Sequence, residues 1–127
     1  MFGSKIGSIS VTVIEARNLA NEDTALVGRN DAYAYLKCNH TKAQTKVIKN
    51  AGSSCTWNET FNFEVKDDSE LELSVYDQDT IKDDKIGEIK IPIAGLANNR
   101  CTEAWYGIGK GSKNRGEVLL RIQFTPL

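Results

Sequence analysis

The chain has 127 residues, of which 40% are hydrophobic, and a formal net charge of −1. That length fits one domain, 1–127, with enough apolar material for a core over about 6–125. The near-neutral balance excludes a nucleic-acid polycation, and no apolar run approaches the roughly 20 residues of a membrane span. The opening Met1-Phe2-Gly3-Ser4-Lys5 has no long apolar region, so no signal peptide is expected. Cys38, Cys55 and Cys101 are an odd, widely spaced set without a C-x-x-C pair. They read as reduced packing thiols of a cytoplasmic protein.

In chain order the first element is a strand, with Ile9, Val11 and Val13 alternating with Ser8, Ser10 and Thr12. An acidic segment from Asn18 to Asp31 follows. Weaker strand patterns cover Tyr33–Cys38 and Lys42–Ile48. Trp57, Glu59, Phe61, Phe63 and Val65 share one parity. Leu71, Leu73 and Val75 alternate with polar residues, as do Ile89, Ile91 and Ile93. A short helix fits near Ala94–Asn98 and another weak strand at Glu103–Ile108. Val118, Leu120, Ile122 and Phe124 mark a last buried face. Period-2 runs separated by Gly, Asn, Asp and Ser breaks predict an all-β, eight-stranded antiparallel β-sandwich.

Asp77-Gln78-Asp79-Thr80-Ile81-Lys82-Asp83-Asp84 is the densest chemistry in the chain. Six of the eight aspartates fall in this stretch and in Asp23 to Asp31. Crowded carboxylates repel, and hard cations take several oxygen ligands, so the pattern points to a Ca²⁺ site. A solvated acidic turn is the plainer reading. An EF-hand register from Asp77 fails because Ile81 and Lys82 stand at loop positions 5 and 6, which need an oxygen ligand and Gly. A D-x-D phosphotransferase site would need strand–helix alternation, which is absent from the pattern. No nucleophile–base pair is supplied, since His40 is the only histidine, so the chain is not expected to be an enzyme.

Five ordered motifs carry a family resemblance: the strand ending Glu15-Ala16-Arg17-Asn18-Leu19, Asp23 through Gly28 to Asp31 and Tyr33, the basic stretch Ala43 to Lys49, Trp57-Asn58-Glu59-Thr60-Phe61-Asn62-Phe63, and Asp77-Gln78-Asp79 to Asp84 and Gly87. Together they resemble a C2 domain, a Ca²⁺- and phospholipid-binding sandwich. The chain's first and last strands resemble the phospholipase-like topology of that family. The resemblance implies ligand carboxylates at Asp23, Asp31, Asp77, Asp79 and Asp84, with main-chain carbonyls at Glu22 and Gln78. It implies two or three Ca²⁺ ions, and Asp84 rather than Asp83 because Asp84 holds the D-x-x-G position before Gly87. The first acidic loop is longer than the family's pattern and the Asp79–Asp84 loop shorter. Ala32 and Cys55 replace prolines common in the family.

The apolar Leu26, Val27 and Ile81, flanked by Arg29 and Lys82, read either as ordinary exposed residues or as groups entering a membrane beside the ions. His40, Lys42, Gln44 and Lys46 share a parity. They form either a solvated strand face or, with Tyr33 and Tyr76 and counting Lys42 and Lys46, a phosphoinositide groove of the kind related domains build. The expected function is Ca²⁺-dependent binding of anionic phospholipid membranes by a monomeric cytoplasmic protein recruited when Ca²⁺ rises. The alternative is a Ca²⁺-independent protein-interaction module on the same scaffold.

Overall fold

The computed structural model describes residues 6–21, 30–96 and 100–127. Eight strands run β1 (Gly7–Arg17), β2 (Ala32–Cys38), β3 (Thr41–Gln44), β4 (Cys55–Val65), β5 (Glu70–Asp77), β6 (Asp84–Pro92), β7 (Cys101–Lys110) and β8 (Lys113–Pro126), with a short 3-10 helix at Ile93–Gly95. They are ordered β3-β2-β5-β6-β7-β8-β1-β4, and every pairing is antiparallel. One residue pair, Glu88 opposite Gly109, joins β6 to β7. The two four-stranded halves therefore fold over each other as a sandwich, and their inner faces make the core.

The alternation expected from sequence is what the core uses. Ile9, Val11 and Val13 are fully buried, as are Leu71, Leu73 and Val75. Val118, Leu120, Ile122 and Phe124 meet them from β8. A bulge after Val13 shifts the parity of β1, so Ala16 is buried instead of Glu15. The Trp57 indole N–H donates to the Ala32 carbonyl at 3.3 Å, tying β4 to β2 just beyond Asp31.

Two segments depart from the sequence reading. β3 ends at Gln44, where the Lys42–Ile48 pattern predicts a longer strand. Beyond it the chain leaves the sheet: the Lys46 N–H donates to the Glu59 carboxylate, and Ile48 returns to pair with Ala32. The helix expected near Ala94–Asn98 is a single 3-10 turn at Ile93–Gly95, and residues 97–99 lie outside the described segments.

A second bulge sits where it positions chemistry. Val75 faces Gly87, but Tyr76 faces Lys85, so Ile86 is the extra residue and turns into the core. This re-aims Lys85 outward and sets Asp84 opposite Asp77. Gly87 is needed for the close approach of β6 to its neighbours. A Cβ there would stand 3.1 Å from the Arg115 Cβ and 3.2 Å from the Ile108 Cγ1.

Candidate functional site

One end of the sandwich gathers the start of β2, the end of β5, the start of β6 and the segment between β3 and β4. Asp31 is held there from three sides. Its N–H donates to the Asp77 Oδ1 at 2.8 Å, its carbonyl accepts from the Gln78 N–H at 2.8 Å, and its Oδ1 accepts from the Asn50 N–H at 2.8 Å. Asn50 has φ 54°, a left-handed conformation that Asn tolerates better than most residues. Beneath them Asn30 is 2% exposed, and its amide donates to the Ala20 and Gly52 carbonyls at 3.2 and 2.9 Å. Asn30 thus fastens the end of the first acidic segment to the turn before β4.

The β5–β6 loop is internally bonded. The Asp79 Oδ1 accepts from the Thr80 N–H at 2.6 Å, and the Asp79 N–H donates to the Asp83 Oδ1 at 3.0 Å. The other oxygen of Asp83 accepts a hydrogen bond from the Tyr33 hydroxyl. That bond, followed by the Asp79 N–H, holds the Asp83 carboxyl below the usual carboxylate range. Burial, then Asp83, pushes the Tyr33 hydroxyl far above its ordinary value. Ile81 is 95% exposed at the loop tip, and Lys82 is exposed beside it.

These carboxylates fall into two neighbouring clefts. Asp31, Asp79 and Asp83 line a cavity of about 300 Å³ with Lys49, Gln78 and Thr80. The Lys49 ammonium donates to the Gln78 side-chain oxygen at 2.9 Å. Asp77 and Asp84 line a narrow cleft of about 20 Å³ with Asn30 and Arg115. Among the described residues no three carboxylate, histidine or cysteine side chains converge on one point. Glu22, Asp23, Leu26, Val27 and Arg29 lie outside the described residues. The donor set is all oxygen, which fits a hard cation such as Ca²⁺ and not a metal that prefers sulfur or imidazole.

The four groove residues expected from sequence divide. Tyr33 and Tyr76 stack at 5.5 Å between ring centroids, 16° from parallel. Lys42 stands opposite Lys37 on the outer face of β2 and β3. Lys46 follows the end of β3, its N–H directed to Glu59. The concavity on that outer face measures about 250 Å³, and Tyr35, Tyr76, Lys37, Lys85, Glu72 and Glu88 are among the residues lining it.

The antiparallel eight-stranded sandwich with aspartates gathered at one end is the architecture of a C2 domain. The C2 domain family model matches residues 7–108, and the chain belongs to that family. It is 33% identical over 127 residues to mouse extended synaptotagmin-3, covering 95% of this chain and 14% of that protein. It is 32% identical to elicitor-responsive protein 3 of Oryza sativa subsp. japonica, covering 94% of this chain and 84% of that one. The calcium-bound structure of two consecutive C2 domains of extended synaptotagmin-2 superposes with a TM-score of 0.84 at 28% identity, over 94% of this chain and 46% of that one. The chain thus spans a small part of the synaptotagmin-like relative and most of the rice one.

Three contributors escape a reading of the sequence. Asn30 precedes a ligand candidate and resembles any turn residue. Its burial depends on contacts with residues 10 and 22 positions away. The Tyr33–Asp83 bond spans 50 positions, and Lys37 and Lys85 enter the groove through strand register. The aspartate density and the ordered motifs around it signalled the region, but not these contacts.

Proposed function

We propose that this C2 domain binds anionic phospholipid membranes in a Ca²⁺-dependent way through the end of the sandwich that carries Asp31, Asp77, Asp79 and Asp84. The observation that carries the reading is the register of β5 and β6, which sets Asp77 opposite Asp84 while Asp31 is bonded to Asp77. These residues, with Asp23 and the carbonyls of Glu22 and Gln78, would hold two or three Ca²⁺ ions. Bound Ca²⁺ supplies positive charge and open coordination positions for lipid phosphate. Two ions add four charges, each worth about 1 kcal/mol at an anionic surface.

Ile81 then enters the interface with Leu26 and Val27, beside Arg29 and Lys82. The domain is a cytoplasmic, monomeric binding module recruited when Ca²⁺ rises, and it catalyses nothing. The calcium-bound relative supports this reading. The phosphoinositide groove of Tyr33, Lys42, Lys46 and Tyr76 is left out of this reading, which rests on the aspartates alone; the Tyr33 hydroxyl donates to Asp83.

A second reading, a Ca²⁺-independent protein-interaction module, draws on the lack of three converging metal-binding side chains among the described residues. Thermal melting during a Ca²⁺ titration, with and without phosphatidylserine vesicles, separates the two. A rise in melting temperature that vesicles enlarge supports Ca²⁺-dependent membrane binding. A melting temperature indifferent to Ca²⁺ in both arms supports the second.

A further inference from the structure

A third bulge lies beside the cleft that Asp77 and Asp84 line. Ile108 of β7 faces Gly116 of β8, but Gly109 faces Asn114, so Arg115 is the extra residue. The Asn114 side-chain oxygen accepts from the Gly116 N–H at 3.0 Å and braces the kink. Bulges re-aim side chains. Lys113 and Asn114 are exposed, whereas Arg115 is half-buried and lies along the start of β6.

Arg115 is anchored through its side chain, its backbone and its stem. Its Nε donates to the Ile86 carbonyl at 2.9 Å, and its own carbonyl accepts from the Ala20 N–H at 2.9 Å. The stem passes Gly87, where an added Cβ would stand 3.1 Å from the Arg115 Cβ. Glycine at that position leaves room for the arginine. So held, Arg115 lines a cleft of about 20 Å³ with Asp77 and Asp84. That is room for about one water molecule. A Ca²⁺ ion, which takes roughly six to eight oxygen ligands, would have to share the cleft's oxygens with a guanidinium.

The guanidinium keeps its charge at any ordinary pH, and its fork of N–H donors matches carboxylates. Lys85 also lines the cleft, but its ammonium is paired with Glu88. Among the described residues this leaves Arg115 to balance the opposed aspartates.

We propose that Arg115 is a tethered cation that competes with Ca²⁺ for Asp77 and Asp84, and so sets the Ca²⁺ concentration at which this end of the domain loads. The competition rests on the Ca²⁺ reading given above. In the metal-free protein the guanidinium offsets two like charges. A Ca²⁺ ion drawing on the same oxygens must displace it or bind against its charge, and either lowers affinity.

The test is titration calorimetry of the whole chain with Ca²⁺ at low salt, beside thermal melting in EDTA. Arg115→Gln should bind Ca²⁺ roughly tenfold more tightly, the low end of what one charge at short range does to a neighbour's equilibrium. Raising the salt should narrow that gap. In EDTA the variant should melt lower than the parent. Asp84→Asn should then raise the melting temperature more in the Arg115→Gln background than in the parent, because the two positions are coupled. Arg115→Lys keeps the charge and should stay close to the parent's Ca²⁺ affinity, whereas a disturbed bulge would move Lys and Gln alike. Arg115→Met keeps the apolar stem beside Gly87 and should reproduce the Gln result if that variant misfolds.

Equal or weaker Ca²⁺ binding by the uncharged variants, or a gain matched by Arg115→Lys, would overturn the proposal and leave the Ca²⁺ reading standing. Binding by Arg115→Gln where the parent shows none would uphold the proposal and overturn the Ca²⁺-dependent reading of the parent chain. Binding by neither would overturn both.

Discussion

Asp77 and Asp84 stand directly opposite each other, as the last residue of β5 and the first of β6. A bulge one step earlier in the ladder fixes that pairing. Two like charges directly opposed on a sheet disfavour the fold unless something positive lies between or beside them. Arg115 lines the same cleft, reaching the β6 carbonyl of Ile86 at 2.9 Å through its Nε. A bound cation would add to that compensation, which is the physical basis of the predictions about metal.

Asp79→Asn should remove most of the stabilisation that Ca²⁺ confers. The metal-free fold should stay intact or become slightly more stable, since one crowded charge is gone. Differential scanning calorimetry with Ca²⁺ and with EDTA measures both. An equal Ca²⁺-induced rise in the variant and the parent chain would remove Asp79 from the ligand set.

Asp83 and Asp84 should separate in their effects. Asp84→Asn should weaken Ca²⁺ binding more in titration calorimetry. Asp83→Asn should act mainly on the metal-free protein, because it disturbs the Tyr33 hydroxyl and Asp79 N–H bonds. The acid limb offers an independent check. Asp83 has its pKa lowered on folding, so its contribution is present above the unfolded carboxylate pKa and lost as pH falls through the lower folded one. Both Asp83→Asn and Tyr33→Phe should therefore flatten the loss of stability on acidification. A greater Ca²⁺ defect from Asp83→Asn would reverse the ligand assignment.

Asn30→Ala should destabilise the domain by about 1–3 kcal/mol, the usual cost of stranding buried hydrogen-bonding groups. The Ala20 and Gly52 carbonyls both lose a donor. Urea unfolding monitored at Trp57 and Trp105 reads the change. A value within error of zero would mean that water replaces the amide.

How much of this was legible beforehand depends on the range of each interaction. The buried faces of β1, β4, β5 and β8 follow from alternation, because burial repeats every second residue. The bulges after Val13 and at Ile86 do not: the first is set by β4 and β8 far along the chain, and the second, although Tyr76 and Lys85 are only nine positions apart, has no local pattern that marks Ile86 as the extra residue. Tertiary contacts likewise end β3 early: Thr45, which follows it, is 2% exposed and its hydroxyl accepts from the Ala34 N–H at 2.9 Å. Aspartate density marked the candidate site. The partition of Asp31, Asp79 and Asp83 from Asp77 and Asp84 is a matter of register and of the Tyr33 bond, and neither has a local signature.

Ile81→Ser should leave metal-free stability unchanged within about 0.5 kcal/mol, because the side chain is 95% exposed. Ca²⁺-dependent vesicle binding should weaken by at most about 1.5–3 kcal/mol, the value of burying one such side chain. Residual binding should become more sensitive to salt. Flotation assays at two ionic strengths measure it, and unaltered binding would place Ile81 outside the membrane.

The most direct measurement is co-sedimentation of the whole chain with phosphatidylserine-containing and with neutral vesicles, each with Ca²⁺ and with EDTA. The account predicts that the protein pellets with anionic vesicles in Ca²⁺ and stays in the supernatant with the same vesicles in EDTA. Equal pelleting in Ca²⁺ and EDTA, or no pelleting under any of the four conditions, would contradict it.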